Sequence, residues 1–194
     1  MTLLQPQYRV LSVQIGKVLP LQIGDRTVLS GIDKQAVDGP VTVNQLGLDG
    51  DEQADLTVHG GLSKAVYAYP AEHYPFWREQ RSALGLSTEL RYGSLGENLT
   101  LTGLLESMLY VGDTLCFPDC ILRVTQPREP CYKFNAVMGD PKAAKKMAYS
   151  GFCGFYLAVE SPGSIMAGQS FAVEPGQRQL PMMALFKAAK AKSW

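Results

Sequence analysis

The run Gln126-Pro127-Arg128-Glu129-Pro130-Cys131-Tyr132-Lys133 sets a thiol behind two prolines and between two cations. The thiolate is the reactive and metal-binding form of cysteine, and neighbouring positive charge favours it. Proline fixes its own φ and pushes the residue before it toward extended backbone, so Pro127 and Pro130 restrict the approach to Cys131. The chemistry expected here is that of a reactive or metal-binding sulfur. The competing reading is a turn after a strand with a buried, inert cysteine, because cysteine is among the most buried residue types.

Asp49-Gly50-Asp51-Glu52-Gln53-Ala54-Asp55 puts four carboxylates in seven positions, just ahead of His59-Gly60-Gly61. As metal chemistry it offers hard oxygen ligands and an imidazole, but it lacks the ligand spacing and closing glutamate of a calcium loop. As plain structure it is a solvated acidic turn. Gly60 and Gly61 permit backbone that a side chain would block, and their successive N–H groups could cradle an anion that Lys64 neutralises. His59 titrates near neutrality and suits proton delivery or substrate orientation; a hydrogen-bonded structural histidine is the alternative. Glu97-Asn98 could hydrogen-bond a polar heterocycle or the backbone of its own loop. Cys116 and Cys120 suggest zinc, yet their gap spans a predicted hairpin turn and no second close ligand pair follows. Phosphate-loop, dinucleotide-binding and nucleophile-elbow motifs are absent from the sequence, which removes the corresponding nucleotidase, dehydrogenase and hydrolase classes.

These residues need elements to hold them. Apolar runs predict strands over 8–18, 27–32 and 41–46, with Pro20 and Gly24 ending the first. Residues 57–69 read as a loop feeding a buried strand that Pro70 closes. Tyr74, Trp77 and Arg81 recur at helical spacing within 71–84, with Pro75 in the first turn. The segment 93–99 is a loop entering a strand. Residues 109–117 and 121–125 form a hairpin around Pro118-Asp119 that delivers the chain to Cys131. A helix is predicted over 141–150, with Asp140 as N-cap, Pro141 at its first position and Gly151 as its stop. Residues 152–160 and 170–174 read as a second hairpin. Short strands at close spacing indicate a barrel or a sandwich. One domain is expected over 1–178, and the tail 179–194 as a short amphipathic helix docking on it or on a second copy in a homodimer.

Eighteen basic residues balance eighteen acidic ones, so no global field draws the chain to nucleic acid or an anionic membrane. The hydrophobic share of 46% against 19% charged fits a globular chain with one core. No apolar run is long enough to span a bilayer, and no basic segment leads into a secretory-type apolar stretch, so a cytoplasmic protein is expected. Four cysteines are too few for a disulfide framework, and thiols are expected.

Taken in order, Gly47-Leu48-Asp49-Gly50-Asp51-Glu52-Gln53-Ala54-Asp55, Val58-His59-Gly60-Gly61, Gly96-Glu97-Asn98-Leu99, Val111-Gly112-Asp113 and the Cys131 run form one pattern. It resembles the MOSC domain, the molybdenum cofactor sulfurase C-terminal type, and within it the bacterial YiiM-like group. The resemblance implies a mainly β (α+β) fold, a β-barrel with a few short peripheral helices and a short C-terminal helix. It also implies a bound molybdenum cofactor (molybdopterin), with Cys131 carried over as thiolate ligand to the metal. Arg128, Lys133 and Lys64 would face the cofactor phosphate, Gly60, Gly61 and Asn98 would line its site, and His59 and Glu97 would deliver protons or orient substrate.

The activity implied is reduction of N-hydroxylated small molecules to amines, with an external reductase or other electron donor. The alternatives are a cofactor carrier or sulfur-transfer module using a Cys131 persulfide, and a cofactor-free interaction barrel. Two departures from the family pattern stand out: longer relatives continue past 180–183 into a helical extension, and Gly168-Gln169 replaces a common Gly-Asp.

Overall fold

Strict alternation in β1 (Tyr8–Ile15) would send Val10 and Val13 to opposite faces, yet both are fully buried. The pairing with β8 (Leu99–Thr102) shifts between Val10 and Ser12, so Leu11 is an extra residue. A bulge of this kind flips the alternation and turns both valines into one core. The computed structural model describes residues 8–54 and 60–193 of the chain.

Two small hairpins follow β1. In the first, β2 (Leu19–Ile23) pairs with β3 (Arg26–Ser30) across Gly24-Asp25. After the two-residue β4 (Gln35–Ala36), β5 (Val41–Asn44) turns into β6 (Gly47–Leu48). Then come β7 (Val66–Pro70), α1 (Tyr74–Ser82) and β8. The chain continues through β9 (Thr114–Cys116), β10 (Ile121–Pro127), α2 (Tyr132–Met138) and α3 (Ala143–Ser150). It ends with β11 (Phe155–Ser161), β12 (Gly163–Ile165), β13 (Ser170–Glu174) and α4 (Met182–Ser193).

The strand order β13-β9-β10-β11-β7-β8-β1 closes where β1 pairs with β13, which makes a seven-stranded barrel. β7 and β8 run parallel, and such a pair needs a long crossover, here supplied by α1 and the loop after it. Inside the barrel Val10, Val13, Leu99, Leu101, Leu115, Leu122, Phe155 and Leu157 form the main core. Outside it, α1, α2 and α3 cover a second cluster that includes Tyr67, Tyr69, Tyr74, Trp77, Phe134 and Met147. Alternation along β7 divides the two: Val66 and Ala68 point inward, Tyr67 and Tyr69 outward under the helices.

The barrel, the strand before Pro70, the helix over α1 and the 116/121 hairpin agree with the sequence pattern. Four features differ. Pro20 lies within β2 rather than ending a strand, because β2 pairs with β3 alone and an edge tolerates a missing N–H. β11 and β13 are not a hairpin: β11 sits between β10 and β7, β13 between β9 and β1, and the intervening β12 pairs with β5. α3 begins two residues late, with Lys142 as its N-cap, because Asp140 caps a preceding turn, accepting the Lys142 N–H at 2.8 Å. α2, directly after Cys131, is not foreseen in the sequence pattern. α4 docks on the barrel wall through buried Met182 and Phe186. Gln169 accepts the Met166 N–H through its side-chain oxygen at 3.3 Å, which closes the turn before β13.

Candidate functional site

Cys131 is the last extended residue (φ −117°, ψ 168°) before α2, placed there by the exit of β10 and the two prolines. It is half-buried and lines a cleft of about 610 Å³, counting its open mouth. The other walls come from the loop after β3, the acidic loop after β6, Lys64, Tyr67 of β7, Asn98, Arg128, Lys133 and Tyr156 of β11. Thus five distant stretches of sequence meet around the sulfur that the motif singled out.

Two of the other three cysteines, Cys120 and Cys153, contrast with it. Cys120 is buried, and burial with the nearby Asp119 charge pushes its thiol up to about 12. Burial, then the Glu106 carboxylate, drives the Cys153 thiol far above its ordinary value. Both are held as inert thiols in packing, while Cys131 is on the cleft wall.

Arg128 is 5% exposed, with its guanidinium 4.9 Å from the Tyr67 ring centroid and 5.2 Å from that of Phe134. Although burial weakens its hold on the proton, its pKa still stands above the ordinary arginine value. Among the described residues no carboxylate lies within salt-bridge distance of it. A buried cation in that position would be stabilised by an anionic ligand, were one to enter the cleft. Lys64 adds its ammonium 5.8 Å above the Tyr156 ring, and Lys133 donates to the Leu29 carbonyl at 2.8 Å, tying α2 to β3. Burial raises both the Tyr67 and the Tyr156 phenol, so neither is a phenolate at neutral pH.

The described part of the acidic loop acts as a fastener. Asp51 Oδ1 accepts from the Gly16 N–H at 2.7 Å and from Lys34 Nζ at 2.5 Å, and Oδ2 from Asn98 Nδ2 at 2.9 Å. Glu52 accepts from Lys17 Nζ at 3.0 Å and the Val18 N–H at 2.9 Å. The loop presses so closely on the one after β3 that a Cβ at Gly31 would lie 2.3 Å from the Glu52 carbonyl oxygen. Among the described residues no group of three or more His, Cys, Asp or Glu side chains could hold a metal ion.

Asn98 is on the wall, but its amide is engaged: Oδ1 accepts the Tyr67 N–H at 3.1 Å, and Nδ2 donates to Asp51 and to the Gln14 carbonyl. Glu97 stands behind the wall and not in it, which corrects the expectation that it faces substrate. Fully buried, it accepts hydrogen bonds from the Tyr74 and Thr100 hydroxyls and the Gly93 and Leu95 N–H groups. Gly60 and Gly61 also lie off the wall; Gly61 (φ 85°) opens the 3-10 turn that presents Lys64. His59 lies outside the described residues. His73 is a packing residue, 2.8 Å from Glu106 and stacked on Phe152.

Lys34, Tyr67 and Tyr156 are wall residues that sequence reasoning missed. The outward phase of β7 was a usable signal for Tyr67. A single lysine in a loop carried none.

The MOSC-domain family model matches residues 55–172. The chain is 38% identical over 164 residues to the uncharacterized protein YflK of Bacillus subtilis (strain 168), covering 84% of this chain and 72% of that protein. It is 40% identical over 139 residues to protein YiiM of Escherichia coli (strain K12), covering 71% of this chain and 61% of that one. A protein of Gibberella moniliformis named Reductase is 33% identical over 165 residues, 84% of this chain but 29% of its own length. Among solved structures, YiiM from Geobacillus stearothermophilus superposes with a TM-score of 0.76 at 30% identity, over 95% of this chain and 85% of that one. YiiM from Escherichia coli gives 0.74 at 27% identity, over 97% and 79%. Barrel, ordered motifs and matched relatives together place this chain in the MOSC-domain family.

Proposed function

We propose that the cleft holds a molybdenum cofactor through Cys131 and that the protein reduces N-hydroxylated small molecules to amines. The observation that carries this reading is the juxtaposition of an accessible thiol with a buried guanidinium that lacks a carboxylate partner among the described residues. A soft thiolate suits a metal already bound by sulfur, and the guanidinium suits a phosphate. The donor set fits the group that the family implies. The MOSC-like region of the fungal relative belongs to a protein named as a reductase, which supports the same direction.

When bound, the cofactor supplies two-electron reduction, R–NHOH + 2 e⁻ + 2 H⁺ → R–NH2 + H2O, with electrons drawn from an external reductase. Cys131 Sγ would hold the metal, and Arg128, aided by Lys64 and Lys133, would hold the phosphate. Tyr67 and Tyr156 form the apolar side of the cleft and exclude water from it. Asn98 and Glu97 are positioning residues: the first pins β7 to the acidic loop, the second pins the loop that leads into β8. His59 is retained as the candidate for proton delivery.

The test is metal analysis and turnover of protein purified from a host that makes the cofactor. Wild type is expected to carry molybdenum near one per chain and to reduce an N-hydroxylated purine with reduced viologen as donor. Cys131→Ser should lose at least about tenfold in bound metal, since a hydroxyl is a poor substitute for a soft thiolate. Metal-free wild type, or full metal in Cys131→Ser, sinks the assignment. Bound cofactor without turnover, and a persulfide on Cys131 by mass spectrometry, would favour the carrier reading.

A further inference from the structure

Lys34 is a lysine that the pattern of motifs passes over, yet it is only 6% exposed and lies on the cleft wall. Its backbone is fixed by Arg91, whose Nη1 donates to the Lys34 carbonyl. Two glycines let neighbouring chain approach closely: a Cβ at Gly93 would lie 2.7 Å from the Lys34 carbonyl oxygen, and one at Gly16 would lie 3.1 Å from Lys34 Cγ. The ammonium is fixed in turn by Asp51, which the Gly16 N–H and Asn98 Nδ2 hold in place. An ammonium has three N–H donors, and among the described residues Asp51 is the acceptor for one. Its other N–H donors have no acceptor among the described residues.

The two ends of the wall differ in charge. Contacts run in a row from Lys34 through Asp51, Asn98 and Tyr67 to Arg128. At the Arg128 end a cation has no carboxylate partner among the described residues, an arrangement suited to a charged phosphate. At the Lys34 end the charge is already balanced by Asp51, so the pair suits an uncharged oxygen acceptor. Burying that oxygen against a fixed donor discriminates strongly, because a ligand lacking it leaves the donor unsatisfied.

We propose that Lys34 is the substrate-recognition donor of the cleft, hydrogen-bonding the oxygen of the N–O group and thereby selecting N-hydroxylated molecules over their amines. This rests on the functional reading above. The experiment uses the cofactor-loaded protein without any reductant, so that no turnover occurs. Calorimetry then compares binding of an N-hydroxylated purine with binding of the corresponding amine.

Wild type is expected to prefer the hydroxylated form by about tenfold or more, the scale of a hydrogen bond to a charged donor. In Lys34→Gln that preference should collapse toward unity with the molybdenum content unchanged, and Lys34→Arg should recover part of it. Should Lys34→Gln prove unstable because Asp51 is left buried and unpaired, the double variant Lys34→Met/Asp51→Asn removes both charges and must show the same collapse. Unchanged preference in these variants overturns the proposal, as does loss of molybdenum in Lys34→Gln, which would move Lys34 to the cofactor side. Wild type that carries the cofactor but shows no preference also overturns it while leaving the cofactor assignment standing. Wild type without cofactor overturns both.

Discussion

Glu97 shows how a residue from a functional-looking motif can serve geometry. Its four donors hold the loop entering β8, and with it Asn98 and the cleft wall. Burial lifts its carboxyl above the ordinary 4.5, and the hydrogen bond from Tyr74 leads those pulling it back down. Because the folded value is the higher one, its contribution to stability is fully present below about pH 4.5 and is lost as pH rises through that folded value. Glu97→Gln should carry a pH-independent loss of about 1–3 kcal/mol, since its NH2 would face donors. On top of that, its melting temperature relative to wild type should improve as pH rises from 4 toward neutrality. A melting-temperature difference that is flat across this range, or that worsens, would show that the carboxyl is not raised in the fold.

Between α3 and β11, the four residues Gly151-Phe152-Cys153-Gly154 act as an anchor for the site. The Cys153 carbonyl accepts from the Tyr67 hydroxyl at 2.8 Å, and the Phe152 carbonyl from Tyr69 at 3.0 Å. Gly154 donates its N–H to Glu106 at 2.7 Å, and its carbonyl accepts the Arg128 N–H at 3.3 Å. Its φ of 65° favours glycine, and a Cβ there would lie 2.4 Å from the Ala68 carbonyl oxygen. Gly154→Ala should therefore cost more than about 2 kcal/mol in urea unfolding, combining left-handed strain with a backbone clash. Near-neutral stability would mean that the loop relaxes freely and does not brace Arg128.

Among the described residues the barrel strands are unevenly paired. β1 meets β13 through the pairs Tyr8↔Phe171 and Arg9↔Ser170, whereas β10 and β11 pair from Ile121↔Ser161 to Pro127↔Phe155. Fewer ladder bonds lower the free energy of local opening, so amides around 8–10 and 170–172 should exchange at least about tenfold faster than those of 122–124. Uniform protection around the barrel in hydrogen-exchange mass spectrometry would contradict this. The cleft lies on the well-sealed side, next to β7, β10 and β11, where a site must keep its geometry. Among the described residues no helix is long and apolar enough to cross a membrane.

Local chemistry explains what was legible without coordinates. Two prolines and two cations around Cys131, the hairpin before it, the buried run closed by Pro70 and the helical spacing of Tyr74 and Trp77 are short-range signals, and an ordered set of motifs carried the family. Pairing and packing act over long range, so the chain alone did not disclose them. Closure of β1 onto β13, the bulge at Leu11, the separation of β11 from β13, and the turning of Glu97 away from the cleft each depend on which surface arrives opposite. So does Lys34, an ordinary loop lysine until Asp51, 17 positions later, meets it in the wall.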